Sequence, residues 1–233
     1  MNKILEHIFS IPKSFYVSLK YFPFKEAIKL PIMVRYNTVL LGLKGKIVNS
    51  KGGAKFAMLK IGFGNVGVFD KKFERTMLQI SGTIELSDKK VCFGHGSRIC
   101  VYPNGILKFN GEFCNSTSMT IICCNRITFG DGVVSSWDTI VMDTDLHETE
   151  NPITKEIYSS CSPVFIGDKT WICARSVILK GSKLPSGSIL SSASVLTKKY
   201  EEENVMLAGS PAIIKKYNIT LRQETFKSES NSF

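Results

Sequence analysis

The sequence predicts an all-β fold: a parallel β-helix of hexapeptide repeats, with a loop extruded from one edge and a basic arm at the N-terminus. Three observations carry this expectation. Stepping by six from Ile166 gives Ile172, Ile178, Leu184, Leu190 and Leu196, all aliphatic. Four residues after each of the first five stand Thr170, Ser176, Ser182, Ser188 and Ser194, a second column on the same period. Residues 143–163 break the pattern with a polar stretch that has no period.

A period of six is neither that of a helix nor that of a heptad. It is even, so along an extended chain it returns a side chain to the same face. An aliphatic residue that always points inward, with a turn between beats, describes a chain wound around a narrow core, and hexapeptide periods are a β-helix signature. Each coil buries its apolar column only by stacking on the next. Gly167, Gly181 and Gly187 suit the tight corners. The alternative is a sandwich of short strands, which shares the β content but not the strict register.

Upstream, Ile84, Phe93, Ile99, Leu107, Phe113, Ile121, Ile127 and Phe129 mark looser apolar beats separated by glycines, and the phase slips more than once. This stretch is assigned to the same coils. The interruption at 143–163 reads as a loop thrown out from one edge, a place where function is often carried.

The first 60 residues differ in composition. They hold eleven Lys or Arg against two Glu, a net +9, whereas the other 173 hold nineteen basic and eighteen acidic residues, a net +1. Pro12, Pro23 and Pro31 divide them into short aromatic-rich pieces. The expected organisation is a basic arm or subdomain over 1–60, a β-helix over 61–212 carrying the 143–163 loop, and a C-terminal tail over 213–233, polar and frayed from Asn218 onward. The charge of the arm suits a solvated face, or contact with a membrane surface through Lys3, Lys13, Lys20 and Lys25. No nucleic-acid recognition motif accompanies it.

Glu6 and His7 interrupt the apolar start, which therefore does not read as a signal peptide, and no run of eighteen apolar residues exists. The expectation is a cytoplasmic protein, membrane-peripheral at most. Seven cysteines, an odd number with no C-x-x-C and with Cys123 and Cys124 adjacent, fit reduced, buried thiols better than disulfides or a zinc site. No metal is expected.

Four ordered stretches resemble the hexapeptide-repeat acetyltransferases, the family of galactoside, maltose, serine and capsular-polysaccharide acetyltransferases. They are Val141-Met142-Asp143-Thr144-Asp145-Leu146-His147, Ile166-Gly167-Asp168-Lys169-Thr170-Trp171-Ile172, Ser191-Ser192-Ala193-Ser194-Val195-Leu196-Thr197-Lys198 and Ala208-Gly209-Ser210-Pro211-Ala212. The resemblance covers about residues 80–217, and the D-T-D-x-H form looks most like the bacterial cell-surface sugar acetyltransferases. The chain departs from the family pattern at Cys173, Pro185, Ser191 and Ile213.

The resemblance implies a left-handed β-helix and a homotrimer with sites between subunits. It implies direct transfer of acetyl from acetyl-coenzyme A to a sugar hydroxyl, with His147 as general base. An imidazole with a pKa near 6.5 is mostly neutral at cytosolic pH and able to take the hydroxyl proton. Asp143 or Asp145 would support His147, and which of them does so stays open. Trp171, Ser192, Thr197, Lys198 and Lys216 are the expected coenzyme contacts by position, with Lys199 and Lys215 as further cations. A cysteine nucleophile at Cys161 or Cys173 is conceivable, but the resemblance implies no acyl-enzyme. Two other functions stay open: N-acetylation of a nucleotide-linked amino sugar, and a non-catalytic β-helix scaffold in which His147 is a surface residue.

Overall fold

Hydrogen bonding sorts the strands of the computed structural model, which describes residues 3–50, 52–64 and 66–222, into three mostly parallel sheets and one small hairpin. The sheets have nine, seven and six strands, and successive strands along the chain go to the first, second and third sheet in turn. One circuit is Phe113–Thr117, Thr120–Cys123 and Arg126–Phe129, each strand pairing in parallel with the strand one circuit on. The result is a three-walled parallel β-helix.

The register explains both repeat columns. Ile166 pairs with Leu184, Ile172 with Leu190 and Ile178 with Leu196, so one circuit takes eighteen residues and each step of six moves one wall onward. All six aliphatic side chains are fully buried. The Ser/Thr column occupies the corners and is equally buried; its carbonyls accept ladder bonds such as Trp171 N to Ser188 O at 3.0 Å. Immediately before it, Lys169, Arg175, Gly181, Gly187 and Ala193 all hold positive φ, from +53° to +74°. Only two of the five are glycine. At the others, stacking on neighbouring coils imposes a backbone that a side chain disfavours.

Upstream the circuit lengthens, and this is the origin of the phase slips. Asn115 pairs with Phe93 twenty-two residues before it and with Ser135 twenty residues after it. The strands here run to four and five residues, so most place two side chains inward. Phe93, Phe109, Phe113 and Phe129 fill the wider interior, with ring centroids 4.8–5.9 Å apart.

The coils also begin earlier than the composition shift implied. Ile32–Val34, Val39–Leu43, Lys46–Asn49 and Leu59–Ile61 are coil strands within the segment read as arm, and Ile32 and Leu59 are inward partners. What precedes them is a helix, α1 (Lys3–Tyr21), and a short helical turn at Phe24–Ala27. At the other end, Ala212–Lys216 turns back antiparallel onto Met206–Gly209, so the sheet runs past residue 212. The tail expected to fray lies outside the described residues beyond 222.

α1 closes the open end of the coils in an unusual way. Its buried stripe is Glu6, Ser10, Ser14, Val17 and Ser18. The first coil strand has no neighbour on its outer side, and the helix serines stand in for one. Ser14 Oγ accepts from Val34 N at 2.9 Å and donates to Val34 O at 3.2 Å; Ser18 Oγ does the same for Ile32 at 3.3 and 3.2 Å. Ser10 Oγ accepts from Tyr36 N at 3.0 Å, and buried Glu6 pairs with Arg35 at 2.6 Å. A bare sheet edge is thus capped by hydroxyls.

Candidate functional site

The long excursion leaves the coils between the second wall (Ile140–Met142) and the third (Val164–Ile166). It contains an antiparallel pair, Thr149–Glu150 with Ile157–Tyr158. Its two ends are held together by a Thr144–Cys161 bridge and by Asp145 N to Ser160 O at 2.8 Å. His147 lies on the outgoing limb just past Leu146, whose φ of +63° turns the chain outward. The imidazole is exposed.

Both candidate carboxylates have partners other than His147. Asp143 is fully buried, and its oxygens accept from Cys124 N at 2.7 Å and Asn125 N at 2.8 Å, with the Cys123 thiol donating at 3.6 Å. It caps the same corner of the preceding coil and is committed to backbone. Asp145 is exposed, and its carboxylate is taken by Lys180 at 2.5 Å. Lys180 also donates to Ser159 O at 2.8 Å, so one ammonium ties the outgoing and returning limbs to the coil beneath. In a single chain, both aspartates hold the loop rather than the imidazole.

Lys180 escaped the sequence reading, though a signal existed: it stands eighteen residues before Lys198, one full circuit, on the same edge. Thr197 and Lys198 are exposed there, above the loop base. The other expected contacts lie elsewhere. Trp171 sits on the first wall, half-buried, and its indole N–H donates to Ser136 Oγ at 3.1 Å. Ser192 is exposed at the edge between first and second walls, and Lys216 is exposed on the final antiparallel strand. The candidates therefore divide into a His147–Lys180–Thr197–Lys198 edge and a Trp171–Ser192 edge, separated by the second wall.

Burial makes Cys173 a poor nucleophile. The Cys173 thiol is pushed up to about 11 by desolvation, against which a hydrogen bond from the Ser192 backbone works only in part, so it is almost wholly protonated at neutral pH. Cys161 is half-buried and donates to Thr144 Oγ1 at 3.4 Å within the loop base.

His95 is the one histidine inside the body of the coils. It is fully buried at the edge between the first and second walls, with Nδ1 2.9 Å from Thr117 Oγ1 and 3.2 Å from Gly64 O. Burial holds its pKa below the ordinary imidazole value; the Gly64 carbonyl and Glu74 oppose this, and Arg35 and Lys71 reinforce it. The unfolded chain therefore binds a proton there that the folded chain does not. Stability rises with pH across this range and is lost as pH falls below about 6.5. The melting temperature should drop between about pH 7 and pH 5.5. In His95→Gln the slope should flatten, as read by melting curves across pH.

Among the described residues no cluster of His, Cys, Asp and Glu is arranged to hold a metal ion, and no helix is long and apolar enough to cross a membrane.

No family model matches the chain. A galactoside O-acetyltransferase from Lactococcus lactis subsp. lactis is 25% identical over 149 residues, covering 64% of this chain and 63% of that protein, less than two thirds of its length. Among solved structures, the polysialic acid O-acetyltransferase OatWY has a TM-score of 0.48 at 19% identity, over 79% of this chain and 90% of that one. The polySia-specific acetyltransferase NeuO has 0.46 at 19%, over 82% and 78%. A maltose O-acetyltransferase from Clostridium difficile has 0.38 at 14%, over 94% and 90%. Over the matched residues the chain is therefore similar in sequence to a galactoside O-acetyltransferase, and its coils carry the hexapeptide period.

Proposed function

We propose that the protein transfers acetyl from acetyl-coenzyme A to a sugar hydroxyl in the synthesis of a cell-surface polysaccharide, with His147 as general base. The observation that carries this reading is the position of His147: an exposed imidazole on a loop tied to the coil edge by Asp143, Asp145 and Lys180. The galactoside relative supports a sugar as acceptor. In the reaction the hydroxyl oxygen attacks the thioester carbonyl carbon while its proton passes to the imidazole. The C–S bond then breaks, and the proton returns to the departing thiolate.

The division of candidate residues between two edges favours a site assembled from two copies. One chain would supply His147, and the other a wall bearing Trp171 and Ser192, as in the expected homotrimer. Lys198 and Lys216 are exposed cations suited to the coenzyme phosphates, and Thr197 and Ser192 offer hydroxyls along its pantetheine arm.

The test is thiol release from acetyl-coenzyme A across a panel of sugars. Release is expected with acceptors that carry a free hydroxyl, and the product should be an ester cleaved by mild base. A base-stable amide formed only on amino sugars would move the protein to the N-acetyl reading. No release with any acceptor, and no binding of the coenzyme, would leave the scaffold reading.

A further inference from the structure

Helix α1 is amphipathic in the wrong sense for a helix packed on a protein. Its polar stripe of Glu6, Ser10, Ser14 and Ser18 is turned inward to cap the first coil. At 100° per residue, the stripe centred opposite is apolar. Leu5, Ile8, Phe9, Ile11, Tyr16 and Leu19 are 41–59% exposed. The apolar surface continues over Phe24 and Ile28, at 64% and 56%. Beside it runs a groove of about 440 Å³ whose lining, which includes Ile8, Ile11, Leu30, Met33 and Phe56, is almost wholly apolar. A patch of this extent on a folded protein marks a surface that is covered in use.

Charge decides between occupants. Lys20, Lys25 and Lys29 are exposed on and just after the helix, and exposed Lys44 on the coils lines a shallow depression together with Tyr16 and Lys20. Lys13 is the exception, committed to the carbonyls of Tyr36 and Thr38 at 2.5 and 2.7 Å. Residues 1–60 carry +9, so a second copy docked face to face would bring two such charges together. An anionic lipid surface meets both properties at once: acyl chains receive the apolar stripe, and headgroups meet the lysines flanking it.

We propose that the outward face of α1, with Phe24 and Ile28, docks on an anionic bilayer and lies in its interface, holding the coil axis at the membrane surface. The docking does not depend on acetyl transfer and is tested apart from it. The full chain is centrifuged with vesicles of phosphatidylcholine containing phosphatidylglycerol, and with phosphatidylcholine alone. The wild type should sediment with the anionic vesicles and remain largely in solution with the neutral ones. Ile8→Ser/Phe9→Ser should weaken partitioning by at least about tenfold through lost apolar burial. Lys20→Gln/Lys25→Gln/Lys29→Gln should weaken it about as much through lost charge. Melting temperatures of both variants should match the wild type, since none of these side chains is buried. Failure of the wild type to bind anionic vesicles, or equal binding by the apolar variant, would overturn the proposal. So would a fall in solution mass on Ile8→Ser/Phe9→Ser, which would assign the face to a second copy.

Discussion

His147→Ala is expected to lower kcat for acetyl transfer by about 10²–10⁴-fold, the usual contribution of a positioned general base. The change should leave the fold alone. The side chain is exposed, on a loop whose attachments come from other residues, and surface substitutions of that kind shift stability by no more than about 0.5 kcal/mol. Thiol release reads the first consequence, and melting curves of the two proteins read the second. Equal release from the two proteins would remove His147 from the chemistry.

Asp143→Ala should act on stability first. Its carboxylate is the acceptor for two amides, Cys124 N and Asn125 N, at a buried corner, and truncation leaves both without a partner. Each orphaned amide costs about 1–3 kcal/mol, so a loss of roughly 2–5 kcal/mol is expected, a fall in melting temperature of about 5–15 °C for a chain of this size. Asp143→Asn should fall between, because one amide oxygen can accept while its NH2 opposes the second donor. Asp145→Asn, at an exposed carboxylate, should melt nearly as the wild type does. Were Asp143→Ala to keep its melting temperature and lose only activity, the carboxylate would belong to the chemistry rather than to the corner.

The difference between these two aspartates was invisible along the chain. Both stand in one short motif with His147, and only the coil one circuit earlier distinguishes them, by presenting its amides to Asp143 alone. The C-terminal coils were legible because two-residue strands keep every circuit at eighteen residues, so the aliphatic and hydroxyl columns stay in phase. Further upstream, strands with two inward side chains lengthen the circuit. Asn115 and Ser135 also occupy the inner column that runs from Val34 through Ile61 and Phe93 to Ile172. Asn115 incurs no penalty there, since its amide donates to Ser136 O at 2.7 Å and its oxygen accepts from Ser97 at 3.1 Å, but an apolar pattern cannot register it. The first coil was missed for another reason: basic and aromatic residues around Ile32 dominated the composition, and the helix that caps it buries serines, which no hydrophobic periodicity reveals.

The eighteen-residue circuit also limits how this molecule can change length. Inserting a single six-residue unit after Leu184 would keep every aliphatic residue inside, yet it would rotate all that follows by one wall. Lys198 would then leave the corner it shares with Lys180, although no existing side chain had been altered and the interior stayed filled. Growth or shrinkage near the loop is therefore quantised, and a whole circuit is the smallest indel that returns each following residue to its former wall.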